Sequence, residues 1–236
     1  MQRFYKDVSV GPAEAGGFVV LLDGRPVRTP GKSVLIARSR ALADALAREW
    51  EAQEKSIKPE SMPLTQLATT ATDRAAQRAD IAATALAYLE TDLLCYRAAL
   101  PDTLVAAQET LWNPWLDWFA GRFGARLATT QHLAPVAQPE AAIKATRGTV
   151  AAMDPDVFTV FQAATAATGS AVLGLALALG ALDAETAFEA ALCEELHYER
   201  EHDLTRHGLD PIEEKRRAAL LRDLRAAADY LKATTI

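Results

Sequence analysis

The sequence has few of the residues that mark disulfide frameworks, zinc sites and nucleic-acid binding. Its 236 residues include only two cysteines, Cys95 and Cys193, which lie far apart and have no CxxC or Cys/His spacing around them. This scarcity argues against a zinc site and a disulfide framework and favours a reducing compartment. The formal net charge of -6 supplies no basic field for nucleic acid or anionic lipid, so a partner with a basic surface fits better.

Motifs of catalysis and of nucleotide binding are also missing. The segment GPAEAGG lacks the lysine of a phosphate-binding loop, and GSAVLG does not follow a strand as a dinucleotide-binding loop should. No GxSxG elbow is present, and the chain has only 4 histidines. We therefore expect no catalytic residues, no cofactor and no enzyme activity.

No targeting or membrane-spanning segment is expected. The opening MQRFYKDVSV lacks both an apolar signal core and the Arg/Ser-rich pattern of a transit peptide. Residues 157–182 carry no charged side chain, but Gly169 and Ser170 interrupt them and Asp156 and Asp183 bound them. This pattern favours two buried core helices over one lipid-facing helix. We expect a cytoplasmic protein without stable membrane insertion.

Residues 1–60 are predicted to form a small antiparallel sheet with one helix. Strand-like runs occur at 4–10 and at FVVLL, RPVRT and SVLIA, and the Asp-Gly pair at 23–24 is typical of a two-residue hairpin turn. Ser39 is a suitable N-cap for the helix. An apolar stripe that could cover the sheet follows at helical spacing, and it consists of Leu42, Leu46 and Trp50.

Residues 61–236 are predicted to form an all-α domain, so the expected fold class is α+β. A helical stretch over 64–93 should break near 73–80. The later helices are predicted to start at Pro101, Pro139 and Pro155, with a kink or break at Pro114. One helix should run from Asp183 to Gly208, and a capping box at 210–213 should open a last helix to about Lys232.

The helix predicted from Asp183 contains a pattern that resembles a metal site. Glu194-x-x-His197 and Glu199-x-x-His202 match the spacing of di-iron carboxylate ligands. The two pairs lie on one helix, however, and are rotated by about 140° from each other. Because such ligands must face one another from different helices, we expect a solvated charged face and no metal. A helical metalloenzyme remains the less favoured alternative.

The position of Glu195 on this helix does not fit a solvent-exposed charged face. On a helical wheel with Phe188 at 0°, Glu195 lies at about -20° and Glu199 at about 20°, inside the apolar arc of the helix. A buried unpaired carboxylate is costly. Either the helix leaves the core here and displays an acidic strip to a partner, or a basic residue pairs with Glu195 inside the protein.

Six blocks of the sequence resemble, in order, signature blocks of the F-type ATP synthase alpha-subunit assembly chaperones. They are RFYKDVSV, LLDGRPVRTPGK, LADALAREWEAQ, IKPESMPLTQLA, ETDLLCYRA and residues 111–118. The apolar ATGSAVLGLAL is similar to a later block of the same family, so the resemblance extends over most of the chain. A series of ordered multi-residue matches is far more specific than any single motif.

The resemblance implies a non-enzymatic chaperone of alphaproteobacteria and mitochondria, cytoplasmic in bacteria and in the matrix for organellar relatives. It implies that the protein, expected to be a monomer, binds free alpha subunit, prevents its aggregation and is displaced by the beta subunit. A lone ring subunit exposes apolar interfaces, and such patches aggregate. A generic holdase, which binds many unfolded proteins, is the main alternative.

The family also has a functionally important glutamate in its late helix. The resemblance carries this role to Glu195. Glu194 is its rival, because Leu196 and His197 depart from the aromatic residue and glutamine that usually follow in the family. Glu199 completes the candidate partner-binding set.

Two other groups of residues have mainly structural interpretations. Asp92 and Arg97 in ETDLLCYRA are predicted to form an internal pair at a helix end. Three tryptophans, Trp112, Trp115 and Trp118, follow at helical spacing and are expected in the core, although tryptophan is enriched at binding hot spots.

Overall fold

The computed structural model describes residues 1–201 and 208–235. Its N-terminal part is a four-stranded antiparallel sheet, as predicted, with strands β1 (Val8–Pro12), β2 (Phe18–Leu22), β3 (Arg25–Pro26) and β4 (Ile36–Ala37). β2 pairs with all three others and places Val20 opposite Val10. The first strand begins later than expected, because the Tyr5 side chain turns into the core and donates a 2.6 Å bond to the carbonyl oxygen of Trp50.

The turn between β2 and β3 is the predicted two-residue hairpin. Asp23 and Gly24 have φ angles of 49° and 76°, as a type I′ turn requires at both positions. The Asp23 carboxylate also accepts bonds from the backbone N–H groups of Asp7 and Lys6, at 2.8 and 3.0 Å. These two bonds hold the pKa of Asp23 below its ordinary value and tie the turn to the segment before β1.

Helix α1 (Arg40–Glu51) covers the sheet as its apolar stripe predicts. The Ser39 hydroxyl caps it by accepting a 2.9 Å bond from the N–H of Leu42, and the stripe of Leu42, Leu46 and Trp50 is buried. The same hydroxyl donates to the carbonyl oxygen of Ala233 near the C-terminus. One continuous cluster of buried side chains extends from the sheet into the helices; the division into domains at residue 60 stays a prediction.

Helices form most of the remaining described chain. They are α2 (Pro63–Asp73), α3 (Arg78–Ala87), α4 (Asp102–Phe123), α5 (Glu140–Ala152), α6 (Pro155–Thr168), α7 (Ala171–Ala178), α8 (Ala184–Ala191), α9 (Cys193–Glu201) and α10 (Pro211–Thr235). The predicted break near 73–80 is the gap between α2 and α3, which a short 3₁₀ turn fills. Pro101 and Pro139 occupy N-cap positions and Pro155 the first turn of α6, so all three predicted starts are confirmed.

Two expectations about helix α4 and helix α10 need correction. α4 continues through Pro114 without a break; proline removes one backbone N–H, and the flanking Trp112 and Leu116, both fully buried, keep the helix packed on both sides of it. At the start of α10, Asp210 accepts a 2.7 Å bond from the N–H of Ile212. The Glu213 side chain bonds Arg216 and Arg217 in place of the return bond that a capping box would supply.

The apolar stretch at 157–182 folds into a buried helical hairpin, α6 and α7. Gly169, with φ of 70°, ends α6, and the Ser170 hydroxyl caps α7. The two helices approach closely at Gly174, where a Cβ atom would lie 2.1 Å from Oγ1 of Thr165. Among residues 1–201 and 208–235, no helix combines the length and the apolar character that crossing a membrane requires.

The helix predicted to run unbroken from Asp183 to Gly208 is two helices. Asp183 caps α8 as expected, but the chain leaves helical geometry at Leu192, whose φ and ψ are -108° and 22°, before α9 begins at Cys193. Leu192 and Cys193 are both buried, and their burial turns the next residues outward. The predicted end at Gly208 lies beyond residues 202–207, which are outside the described residues.

Candidate functional site

A groove of about 900 Å³ lies where α9 faces the N-terminal half of α4 and the first turns of α10. We call it the α9 groove. One wall is apolar and consists of Leu93, Pro101, Leu104 and Trp112. The opposite wall is charged and contains Glu194, Glu195, Glu199, Glu213, Arg216 and Arg217. The groove therefore offers an apolar surface beside a cluster of carboxylates.

The position of α9 depends on the core tryptophan of α4. Trp112 is fully buried, and its indole N–H donates a 2.8 Å bond to the carbonyl oxygen of Ala190. This bond anchors the last turn of α8 just before the chain bends at Leu192. Of the other two tryptophans, Trp115 and Trp118 are half-buried and pack against the core.

Glu194 faces α4 and bonds to a buried amide. Its Oε1 accepts a 2.7 Å bond from Nε2 of Gln108, and Oε1 of Gln108 accepts a 2.9 Å bond from the N–H of Ala98. Gln108 is only 1% exposed. Glu194 is exposed as a residue, yet its carboxylate takes part in a structural chain of hydrogen bonds.

Glu195 is exposed, which agrees with the alternative that the helix leaves the core here and not with a pairing of Glu195 inside the protein. Its side chain is 45% exposed, and Oε1 lies 3.6 Å from Nη2 of Arg216, which is itself 50% exposed. The bend at Leu192 rotates α9 relative to α8, so a helical wheel with its origin at Phe188 places Glu195 wrongly. Because both groups are hydrated, this contact contributes little to stability.

Glu199 has the buried pairing that was one of the two alternatives for Glu195. Its Oε1 lies 2.6 Å from Nη2 of Arg217, and the two side chains are 19% and 10% exposed. Nε of Arg217 also donates a 2.7 Å bond to Glu213. Although burial lowers the pKa of Arg217, its bonds to Glu199 and Glu213 outweigh that effect and raise it.

Glu213 links the two arginines of α10. Its carboxylate accepts bonds of 2.8 and 2.7 Å from Arg216 and the 2.7 Å bond from Arg217. These bonds, that of Arg216 first, lower the pKa of Glu213 to about 2. Arg216 therefore has its main partner in Glu213, at 2.7 Å, and its contact with Glu195 is the longer one, at 3.6 Å.

The structure brings the three predicted glutamates into one groove but gives them different partners. Gln108, Arg216 and Arg217 complete the site, and none of them was predicted from the sequence. The basic run at 215–217, which follows the predicted start of the last helix, was a signal for the two arginines. Gln108 had no comparable signal.

The metal-like pattern of α9 does not assemble in the described structure. Nε2 of His197, which is buried, lies 3.3 Å from Oγ1 of Thr103. Among residues 1–201 and 208–235, no three His, Cys, Asp or Glu side chains cluster in a way that could hold a metal ion. His202 lies outside the described residues.

The predicted pair of Asp92 and Arg97 is not formed. Asp92 is fully buried and accepts bonds from Ser170 Oγ (2.7 Å) and from the N–H groups of Leu94 and Val172, both at 3.1 Å. Arg97 donates to the carbonyl oxygen of Leu94 and to Asn113. Asp92 accordingly joins its own segment to the start of α7, whereas Arg97 is half-buried and packs against Trp112 of α4.

Comparison with known proteins identifies relatives of the whole chain. A family model described as ATP12 chaperone protein matches residues 2–120. The solved structure of Atp12 from Paracoccus denitrificans is 38% identical, covers 99% of this chain and 98% of its own, and gives a TM-score of 0.85. An Asp-to-Lys variant of that protein has the same identity and TM-score, over 99% and 97% of the two chains. Atu1473 from Agrobacterium tumefaciens is 41% identical over 98% of this chain and 85% of its own, with a TM-score of 0.86.

Proposed function

Because the chain belongs to the ATP12 chaperone family, we propose that it is an assembly chaperone for the catalytic head of F-type ATP synthase. In this proposal it binds the free alpha subunit, prevents its aggregation and is displaced by the beta subunit. It acts as a monomer in the bacterial cytoplasm and has no enzyme activity. Family membership supports the chaperone class, and the α9 groove supports a specific protein partner.

The observation that carries the proposal is the pairing of surfaces in the α9 groove. Leu93, Leu104 and Pro101 present an apolar wall beside the exposed carboxylate of Glu195. Such a surface suits a client segment with an apolar side chain next to a basic one, because the apolar wall supplies affinity and the carboxylate supplies selectivity. A client cation could replace Arg216 as the partner of Glu195. Because both side chains are already exposed to solvent, this exchange requires no change in the burial of a charge, which favours reversible binding.

The direct test combines capture with displacement. Purified alpha subunit should form a one-to-one complex with this chaperone by size-exclusion chromatography with light scattering. The chaperone should suppress turbidity of the alpha subunit, and added beta subunit should release it. Equal suppression for an unrelated unfolded protein would favour the generic holdase, and a complex that beta subunit leaves intact would contradict the displacement step.

A pair of adjacent variants tests the site. Glu195→Gln should weaken capture of the alpha subunit about tenfold, because an exposed charge-assisted hydrogen bond is replaced by a neutral one. Glu194→Gln is the matched control and should bind normally, since an amide oxygen can still accept the bond from Gln108. Loss of binding in Glu194→Gln alone would move the functional glutamate one residue earlier.

A further inference from the structure

A second cavity, of about 490 Å³, lies next to the α9 groove, and we call it the Arg97 pocket. Its lining includes Arg97, Gln108, Glu109, Asn113, Arg126 and Thr130. Gln108 connects the two sites, because its amide N–H₂ bonds Glu194 in the groove and its oxygen accepts from Ala98 in the pocket. The volume is sufficient for a small molecule or a single side chain.

Arg97 is held rigidly at this pocket. Its Nε donates a 2.8 Å bond to the carbonyl oxygen of Leu94, and its guanidinium carbon lies 5.1 Å from the centroid of the Trp112 ring. The backbone is fixed as well, because the N–H of Arg97 donates a 2.8 Å bond to Thr130 and the N–H of Thr130 donates one to Cys95. A preorganised guanidinium loses little side-chain entropy when it binds a ligand.

Arg97 has no ion-pair partner within the described structure, although the charge of Glu109 acts on it from the lining of the same pocket. Its side-chain bonds go to two neutral oxygens, those of Leu94 and Asn113, and no Asp or Glu of residues 1–201 and 208–235 forms an ion pair with it. Burial, together with the neighbouring Arg126, holds the pKa of Arg97 below its ordinary value. A half-buried guanidinium normally has a carboxylate or phosphate partner.

Two guanidinium groups converge on one amide oxygen in this pocket. Nη2 of Arg97 lies 3.0 Å and Nη2 of Arg126 3.2 Å from Oδ1 of Asn113. Arg126 also contacts Asp117, but those side chains are 42% and 63% exposed, so their pairing is weak. Like charges that share a neutral acceptor repel each other, and an anion placed between them would relieve that repulsion.

We infer that the Arg97 pocket is a binding site for a carboxylate group, which Arg97 and Arg126 hold together. The guanidinium fork matches the two oxygens of a carboxylate. Among the lining residues two arginines face one glutamate, Glu109, so a ligand with a single negative charge balances the site better than a dianion. This inference does not depend on the proposed client, since the site would bind a small carboxylate on the isolated chaperone.

The test uses sodium acetate on the intact protein, with sodium chloride at equal ionic strength as the reference. We expect saturable chemical-shift changes at the backbone amides of Ala98 and Thr130 with acetate and none with chloride. Arg126→Gln removes an exposed residue and should keep the fold, yet it should weaken acetate binding about tenfold. Arg122→Gln changes an exposed arginine four residues earlier in the chain that does not line the pocket, and it should bind as the parent does.

A second variant separates binding from folding at Arg97 itself. Arg97→Lys keeps the charge but loses the fork, so acetate should bind more weakly while the thermal melt stays cooperative. Changes that fail to saturate, or that are equal in the parent, Arg122→Gln and Arg126→Gln, would overturn the inference.

The source of the carboxylate follows from a further measurement on the same variants. If Arg126→Gln also weakens capture of the alpha subunit, the ligand is an acidic side chain of the client. If capture is unchanged while acetate binding is lost, the ligand is a free small carboxylate. Both results keep the site, and the acetate titration stays valid even if the alpha subunit is not the client.

Discussion

Asp92 and Glu195 are two carboxylates that the sequence analysis singles out, and they differ in burial and in hydrogen bonding. Asp92 is fully buried and is satisfied by a serine hydroxyl and two backbone N–H groups. Glu195 is 45% exposed and makes one long contact with Arg216. The first joins parts of the core, and the second can exchange its partner.

The difference shows how this protein separates stability from binding. Burial raises the pKa of Asp92 to about 6, even though its hydrogen bonds lower it, so the free energy of folding depends on this site. The α9 groove also contains one buried and one exposed charge side by side. The Arg217 side chain is 10% exposed, and that of Arg216, its neighbour in sequence, is 50% exposed. Variants at these positions should therefore separate into structural and functional effects.

Asp92→Ala should have the largest effect. It leaves the Ser170 hydroxyl and the N–H groups of Leu94 and Val172 buried without an acceptor, and we expect a loss of about 3 to 5 kcal/mol in the free energy of unfolding. Denaturant unfolding measures it. Asp44→Ala removes an exposed pair with Arg40 and should change stability by at most about 0.5 kcal/mol; equal losses would show that Asp92 has no special structural role.

The pH dependence of stability should also reveal Asp92. Its folded-state pKa of about 6 lies above the ordinary value of 3.8, so between pH 4 and 6 the folded state binds the proton that the unfolded state releases. The proton-linked part of its contribution to stability is therefore fully present below about pH 4 and is lost as pH rises to 6, a change on the order of 3 kcal/mol. Asp92→Asn should lack this component when unfolding is measured across the same range, and identical profiles would contradict the raised pKa.

Arg217→Gln and Arg216→Gln should differ although they are neighbours in sequence. Arg217→Gln leaves the largely buried Glu199 without its cation, and we expect a loss of about 2 kcal/mol. Arg216→Gln removes hydrated contacts and should cost at most about 0.5 kcal/mol. Thermal melts of both variants test the ranking, and a reversal would mean that the Glu195 contact is the structural one.

Glu195→Gln should have the smallest effect on stability. A half-exposed carboxylate 3.6 Å from its partner contributes within about 0.5 kcal/mol, so the denaturant midpoint should stay close to that of the parent protein. A loss of several kcal/mol would indicate that Glu195 pairs inside the protein after all.

Local features of the fold were predictable because their causes lie within a few residues. The hairpin at Asp23 and Gly24, the cap at Ser39 and the helix starts at Pro101 and Pro155 follow from backbone preferences that neighbouring residues fully specify. The family resemblance was also contained in the sequence, since its blocks are contiguous. The candidate site was only partly predictable: Glu194, Glu195 and Glu199 were predicted as candidates and line one groove, but the arginines and the glutamine that distinguish them were not predicted.

The differences in burial and in bonding partners among the glutamates and arginines depend on tertiary contacts. The burial of Leu192 and Cys193 interrupts a helix whose local sequence would continue, and this bend exposes Glu195. Asp92 finds Ser170 78 residues later in the chain, and no local pattern specifies a partner at that separation. The sequence by itself determined the hairpin turn, the caps at Ser39 and Asp183 and the predicted helix starts, because these depend on neighbouring residues, and its contiguous blocks determined the family. The tertiary structure decided which charged groups are buried, paired or open to a ligand, because burial and pairing depend on elements far apart in the chain.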